Sequence, residues 1–155
     1  MTSLVKSSAP PVGKAIVLSI KPKYAELILA GTKTVEFRRA WAAEKVDMIA
    51  IYASSPIQKL VGIVHVTDIV RAKPATLWGY CSKRGGGLSK SELTAYFNGK
   101  EAGVAVLLQD VKRFDQGVDP QKVIKNFSPP QSFRYMTAAE MRKLNKLVLQ
   151  LEATQ

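Results

Sequence analysis

Cysteine occurs once in the 155 residues, as Cys81, and histidine once, as His65. A lone cysteine excludes an internal disulfide, and the two counts together leave no thiolate and imidazole set to hold a metal. No apolar run reaches the roughly 18 residues that a membrane-spanning helix needs. The opening, MTSLVKSSAPPVGK, is polar and proline-containing where a secretory leader has an apolar stretch. These absences predict a cytoplasmic protein without metal or cofactor, with no membrane partner, and with residues 1–13 as a flexible arm ahead of a single domain over 14–155. G-x-G-x-x-G and G-x-x-x-x-G-K-S/T are both missing, which argues against a dinucleotide site or a P-loop. Acids are scarce as well: 12 Asp and Glu stand against 23 Lys and Arg, a formal charge of +11 with a pI near 9.9.

What is present is ordinary for a soluble globular domain: 46% apolar and 23% charged residues, in a chain long enough to bury a core. The charge is the exception. A surplus this large favours polyanionic partners, nucleic acid first among them, although a basic surface kept for solubility fits the same count. From Arg71 to Ser91 five basic residues (Arg71, Lys73, Lys83, Arg84, Lys90) meet no acid, and the first 39 residues hold seven against Glu26 and Glu36.

The pattern along the chain predicts an α+β domain. AIVLSI (15–20) reads as a buried strand, and KPKYAELILAG as a helix with Pro22 near its start and Gly31 at its end. TKTVEFR alternates, with Val35 and Phe37 on one face and Thr34, Glu36 and Arg38 on the other. Strands follow at 46–54 and 59–70, the latter with Gly62 as a bulge. Residues 71–88 read as the most loop-like part. Ser89 and Glu92 form a capping box that opens a short helix ended by Gly99. A central strand over 102–114 comes next, then a helical turn at Asp119–Pro120 and an extended edge segment, SPPQSFRYM. A last helix, 137–152, opens on Thr137 and Glu140 and carries the stripe Met141, Leu144, Leu147, Val148 and Leu151, which suits packing on the sheet.

Residues 30–39, AGTKTVEFRR, concentrate the chemistry. If the polar face of this strand looks into a groove, Arg38 can hold a phosphate or base edge with its planar fork, and Glu36 can accept from an exocyclic amine or orient a cation. An exposed cross-strand ion pair is the plainer reading of the same residues. Lys33 becomes a base or nucleophile if burial or the cations Arg38 and Arg39 lower its pKa, with Glu36 opposing. Lys21 precedes the motif. Tyr24, Trp78 and Tyr80 offer flat surfaces for unstacked bases, with Trp78 and Tyr80 expected to be exposed in a loop. Lys83 and Arg84 belong to the basic segment, Arg134 to the terminal strand. Ser54 and Ser55 are donors at a strand end. The run KRGGG serves either as a phosphate-binding backbone or as a flexible loop, and His65 reads as a sheet histidine.

The run VLSIKPKYAELILAGTKTVEFRR resembles the opening of the ASCH domain family, a branch of the PUA-like superfamily. Its strand, helix and G-x-K-x-x-E-x-R pattern is matched by Gly31, Lys33, Glu36 and Arg38. IYASSPIQKLVGIVHVTDI, LSKSELTAYFNGKEAGVAVLLQDVKRF and PPQSFRYM resemble later pieces in the same order, so the likeness covers roughly residues 15–136. It implies a small mixed or antiparallel β-barrel of five or six strands flanked by short helices, with a cleft beside the motif strand. It also implies an RNA- or nucleoside-binding module, with the basic segment 71–90 on the backbone. The alternative it implies is a metal-independent hydrolase: a ribonuclease, or an amidohydrolase like those that deacylate N4-acetylcytidine, with Lys33 and Glu36 as the reactive pair. In that deacylating group the catalytic set is lysine, threonine and glutamate. Lys33 matches the first, Glu36 stands at the second, and RGGGLS occupies the stretch of the third. Duplex DNA is the weaker partner, since nothing reads as a helix-turn-helix. The sequence leaves the oligomeric state open.

Overall fold

The computed structural model describes residues 13–153; of the expected arm over 1–13, residues 1–12 lie outside the described residues. Six strands and four helices form one mixed sheet with helices around it. In chain order they are β1 (Lys14–Ile20), α1 (Pro22–Leu29), β2 (Val35–Arg38), β3 (Val46–Ala53), β4 (Lys59–Ala72), α2 (Pro74–Lys83), α3 (Lys90–Tyr96), β5 (Gly103–Val118), β6 (Phe133–Met136) and α4 (Ala138–Ala153), with a single 3-10 turn at Pro120–Lys122.

The sheet order is β2-β5-β4-β3-β1-β6. β1 runs parallel to β3 and every other neighbouring pair is antiparallel. A parallel pair needs a crossover, and α1 with β2 supplies it. β1 is buried on both faces, which is why it reads as an unbroken apolar run: Ile16 and Leu18 enter one core with Ile49, Ile51, Val64 and Val106, while Val17 enters a second with Ala50, Leu60, Ile63 and Phe114. β4 and β5 are long, 14 and 16 residues. Their ladder shifts register at three places, and β3 pairs Ile51 with Gly62 but Tyr52 with Leu60, leaving Val61 as the extra residue of a bulge. Such bulges bend a strand and increase its twist. The strand ladders form a single row, and none joins β2 to β6 among the described residues, so the mixed sheet is not shown closed into the small barrel that was expected. What spans the two ends is a side chain, Arg38.

The stripe of α4 packs as anticipated: Leu144 and Val148 are buried, with Met141, Leu147 and Leu151 against the same core. Both capping boxes form, Ser89 with Glu92 and Thr137 with Glu140. One element departs from expectation. Residues 74–83 are the helix α2 and not a loop. Pro74 sits at its first turn, where the missing N–H costs nothing, and Leu77 and Cys81 point inward four residues apart. They build a third core with Val35, Phe37, Leu93, Phe97 and Ala105. Trp78 and Tyr80 are therefore half-buried against that core and not held out in a loop.

Candidate active site

Where the first turn of the chain meets its last strand, a cleft of about 960 Å³ opens. Its floor comes from β2, one wall from α1 and α3, and the other from the ends of β1 and β3 and the segment before β6. Lys21, Tyr24, Lys33, Glu36, Arg38, Ser54 and Ser55 all line it. The alternation read from TKTVEFR thus places Glu36 and Arg38 together, while Val35 faces the α2–α3 core and Phe37, packed in that core, also reaches the cleft.

Lys33 is 2% exposed and Glu36 7%. The Lys33 ammonium donates to the Gly86 carbonyl and stands 3.6 Å from Glu36 Oε1. The rings of Tyr24 and Phe37 lie 5.2 and 5.6 Å from it. Burial disfavours the charged amine and lowers its pKa, and the Glu36 carboxylate pulls in the opposite direction without cancelling the effect. Of the two expected agents, burial and the cations Arg38 and Arg39, desolvation is the first cause; Arg38 spends its charge on Glu36 and Arg39 points away. The second Glu36 oxygen accepts from Arg38 Nη1 at 3.1 Å. Arg38 also donates to the Ser19 carbonyl at 3.4 Å and to Ser132 Oγ at 3.0 Å. Three of its five N–H donors are so engaged, which leaves two for a ligand.

Local sequence explains the placement. Gly31 ends α1 at φ +81°, and the chain turns so that Lys33 passes under the glycine run. A Cβ on Gly85 would lie 2.1 Å from the Thr32 carbonyl oxygen, and one on Gly86 would lie 2.4 Å from Cys81 Sγ. The glycines of KRGGG permit this close packing, and the Gly86 carbonyl becomes the partner of Lys33. Thr34 N–H and the Arg84 carbonyl close the same contact at 2.9 Å.

Other expected residues stand elsewhere. Arg39 is exposed and donates to the carbonyls of Tyr96 and Asn98. Arg84 donates to the carbonyls of Thr34 and Leu108, a bracing role within the fold. Trp78, Tyr80 and Lys83 are on α2 and do not line the cleft, and neither does Arg134, which pairs with Glu140 on α4. His65 is exposed in mid-β4, opposite Met48 and Gln109.

Several cleft residues carry no motif. Ser19 donates to Pro130 at 2.6 Å, tying β1 to the segment Pro129–Gln131 that forms the cleft's far lip. Tyr52 packs its ring on Phe127, and desolvation raises its pKa, so its phenol stays protonated. Tyr52 makes no hydrogen bond among the described residues through that hydroxyl. Tyr96, whose hydroxyl donates to the Phe37 carbonyl at 3.1 Å, closes the α3 side. Its pKa is raised too, first by burial. Glu92 also lines the cleft, although its carboxylate is engaged by the Ser89 N–H. A core Tyr whose edge reaches a cleft is indistinguishable in one sequence from a fully enclosed one, which is why Tyr52 was missed.

Residues 18–145 match the profile of the ASCH domain. The chain is 36% identical over 145 residues to a protein of Zymomonas mobilis named ASCH domain-containing ribonuclease, covering 92% of this chain and 97% of that one. The crystal structure of ASCH from Zymomonas mobilis superposes with a TM-score of 0.80 at 33% identity, covering 86% of this chain and 95% of that one. Crystal structures of a tyrosine-to-phenylalanine and a serine-to-alanine variant of that protein are similar, both at a TM-score of 0.78. The N-terminal domain of Staphylothermus marinus McrB shares the fold at a TM-score of 0.56 and 11% identity, over 88% of this chain and 95% of that one.

Proposed function

Since the chain belongs to the ASCH domain family, we propose that its cleft cuts single-stranded RNA by proton transfer, with Lys33 as the base. The observation that carries this reading is the lysine itself: a buried amine of lowered pKa, opening on a cleft beside an arginine with spare donors. The name of the Zymomonas relative points the same way.

In the reaction, neutral Lys33 takes the proton of a ribose 2′-hydroxyl. The freed oxygen attacks the adjacent phosphorus, and the 5′-oxygen leaves. The products are a 2′,3′-cyclic phosphate and a 5′-hydroxyl. Arg38 offers its two remaining N–H donors to the non-bridging oxygens as charge builds on them. The Tyr52 hydroxyl passes its proton to the departing oxygen, and the phenolate it leaves, disfavoured by the raised pKa, is reprotonated from solvent as product departs. Lys33 ends the step protonated beside Glu36, whose carboxylate then stabilises the ammonium. Tyrosine and serine are the residue types altered in the Zymomonas variants, and both types line this cleft. The one carboxylate at the floor is taken up by Lys33 and Arg38, which disfavours its use as a divalent-cation ligand. A duplex keeps its bases paired and stacked and its backbone in a regular helix that cannot be laid into such a cleft, so single strands are the substrate.

A second reading rests on a specific contact. The donation from Lys33 to Gly86 suits a strut that holds the cleft open, and the cleft then binds RNA or a modified nucleoside without cutting it. One experiment separates the two. Short RNAs and modified nucleosides, N4-acetylcytidine among them, are incubated in EDTA with wild type and Lys33→Ala, and binding and product are read from the same samples. The ribonuclease reading expects cyclic-phosphate ends with wild type and a rate loss of about 10²- to 10⁴-fold in the variant, with affinity changed far less. Binding without product makes the protein a reader. Release of acetate from the modified nucleoside makes it an amidohydrolase.

A further inference from the structure

The exposed large hydrophobic side chains among the described residues are Ile57, Tyr96 and Leu149. Two of them flank the cleft: Tyr96 lines it from α3, and Ile57 lies between the lining residues Ser55 and Gln58 on the opposite lip. Tyr96 is 37% exposed, whereas its neighbour Phe97 is 1% exposed in the core. The exposed ring is nonetheless held at two points. Its hydroxyl donates to the Phe37 carbonyl at 3.1 Å and its ring meets that of Phe97 at 4.9 Å and 68°, while the backbone carbonyl of the same residue accepts from Arg39 at 2.8 Å. A tyrosine left outside for solubility needs no such clamp. Beyond it, α3 presents a second, shallower depression of about 650 Å³ lined by Lys90, Ser91, Thr94, Ala95 and Asn98. Ala95 borders both hollows, so the path from the cleft continues across α3. Its lining is cationic and hydroxylic, without an acid.

We propose that Tyr96 is the stacking platform for the nucleobase next to the one held in the cleft, and that a single RNA strand continues over α3 with Lys90 against the following phosphate. The inference rests on the RNA reading above and adds a specificity determinant to it. An aromatic ring held rigid loses little freedom when a base stacks on it, and stacking tolerates any base, so the platform selects for unpaired strands and not for sequence. The chain then needs substrates longer than the cleft alone accommodates.

The test uses 2′-O-methyl tetranucleotides, which have no 2′-hydroxyl to attack with and report binding without turnover. Each carries 2-aminopurine at one position, whose fluorescence falls on stacking, or an abasic nucleotide at that position. Wild type is expected to quench one position strongly and to lose about 5- to 100-fold in affinity when that position is abasic. Tyr96→Phe keeps the quench. Tyr96→Leu loses it, weakens binding by a similar factor, and shows no further loss with the abasic ligand, because ring and base are then two halves of one contact. The abasic comparison needs only wild-type protein and stands even if Tyr96→Leu fails to fold. The proposal is overturned if no position quenches, if every abasic ligand binds wild type as well as its parent, or if the losses from Tyr96→Leu and the abasic site add. Failure of the ribonuclease reading leaves quenching intact, whereas cleavage without quenching overturns the platform alone.

Discussion

Lys33 and Glu36 stand three residues apart, and their coupling gives the site its pH response. Burial lowers the lysine pKa from the ordinary value near 10.5, and Glu36 restrains that fall. In the proposed reaction the neutral amine is the base, so the rate is expected to climb as pH rises through the lowered pKa. Removing the carboxylate charge removes the restraint. Glu36→Gln is therefore expected to shift the acid limb of the pH–rate profile to lower pH, and an NMR titration of the Lys33 Cε signal to move with it. A limb that stays in place, or moves to higher pH, takes Lys33 out of the base role. For stability the sign is the same as for any group whose folded pKa is depressed: the contribution is present above the unfolded value and is lost as pH falls through the folded one. The motif residues were legible in the sequence because their types and spacing match a family pattern. Tyr52, Tyr96 and Ser19 were not, since each depends on where a distant segment lands: Ser19 on Pro130, and Tyr96 on Phe37.

The connection between α2 and α3 holds Lys33 through the Gly86 carbonyl. A methyl group on Gly86 would meet Cys81 Sγ at 2.4 Å, and Cys81 Cα and Phe37 Cε2 both at 3.0 Å. All three belong to the packed third core, where overfilling costs about 1–3 kcal/mol. Gly86→Ala should lower the urea midpoint accordingly and cut kcat, since the carbonyl holding Lys33 has to shift. Full activity in a destabilised Gly86→Ala protein would separate the Gly86 contact from catalysis. Most elements were readable from period and caps, α1, α3 and α4 among them. α2 was not, because its ten residues include a proline and a glycine, and only Leu77 and Cys81 are fully buried, too short a pattern to mark a helix. The glycines of KRGGG are equally opaque to sequence alone: composition says loop, whereas the close approach to Thr32 makes them a fitted joint.

Over the whole molecule the formal charge of +11 is spread well beyond the cleft. Lys73 and Lys83 are exposed on and before α2, away from the lining residues. Charges so placed speed encounter with a polyanion and add little to the chemistry. Replacing both with Gln is expected to slow association at low salt by a few-fold and to flatten the salt dependence, with kcat unchanged; stopped-flow binding and steady-state rates read the two separately. An equal fall in kcat would place α2 in the active site after all. Among the described residues no helix is long and apolar enough to cross a membrane. Arg38 donates to Ser132 across 94 positions of sequence, and Ser19 reaches Pro130. During synthesis, then, the far lip and the second anchor of Arg38 arrive only with the last strand. A chain still being translated lacks the finished cleft until the segment before β6 has been made and has folded back onto β1 and β2, so the proposed nuclease is incomplete while it is tethered to the RNA that encodes it.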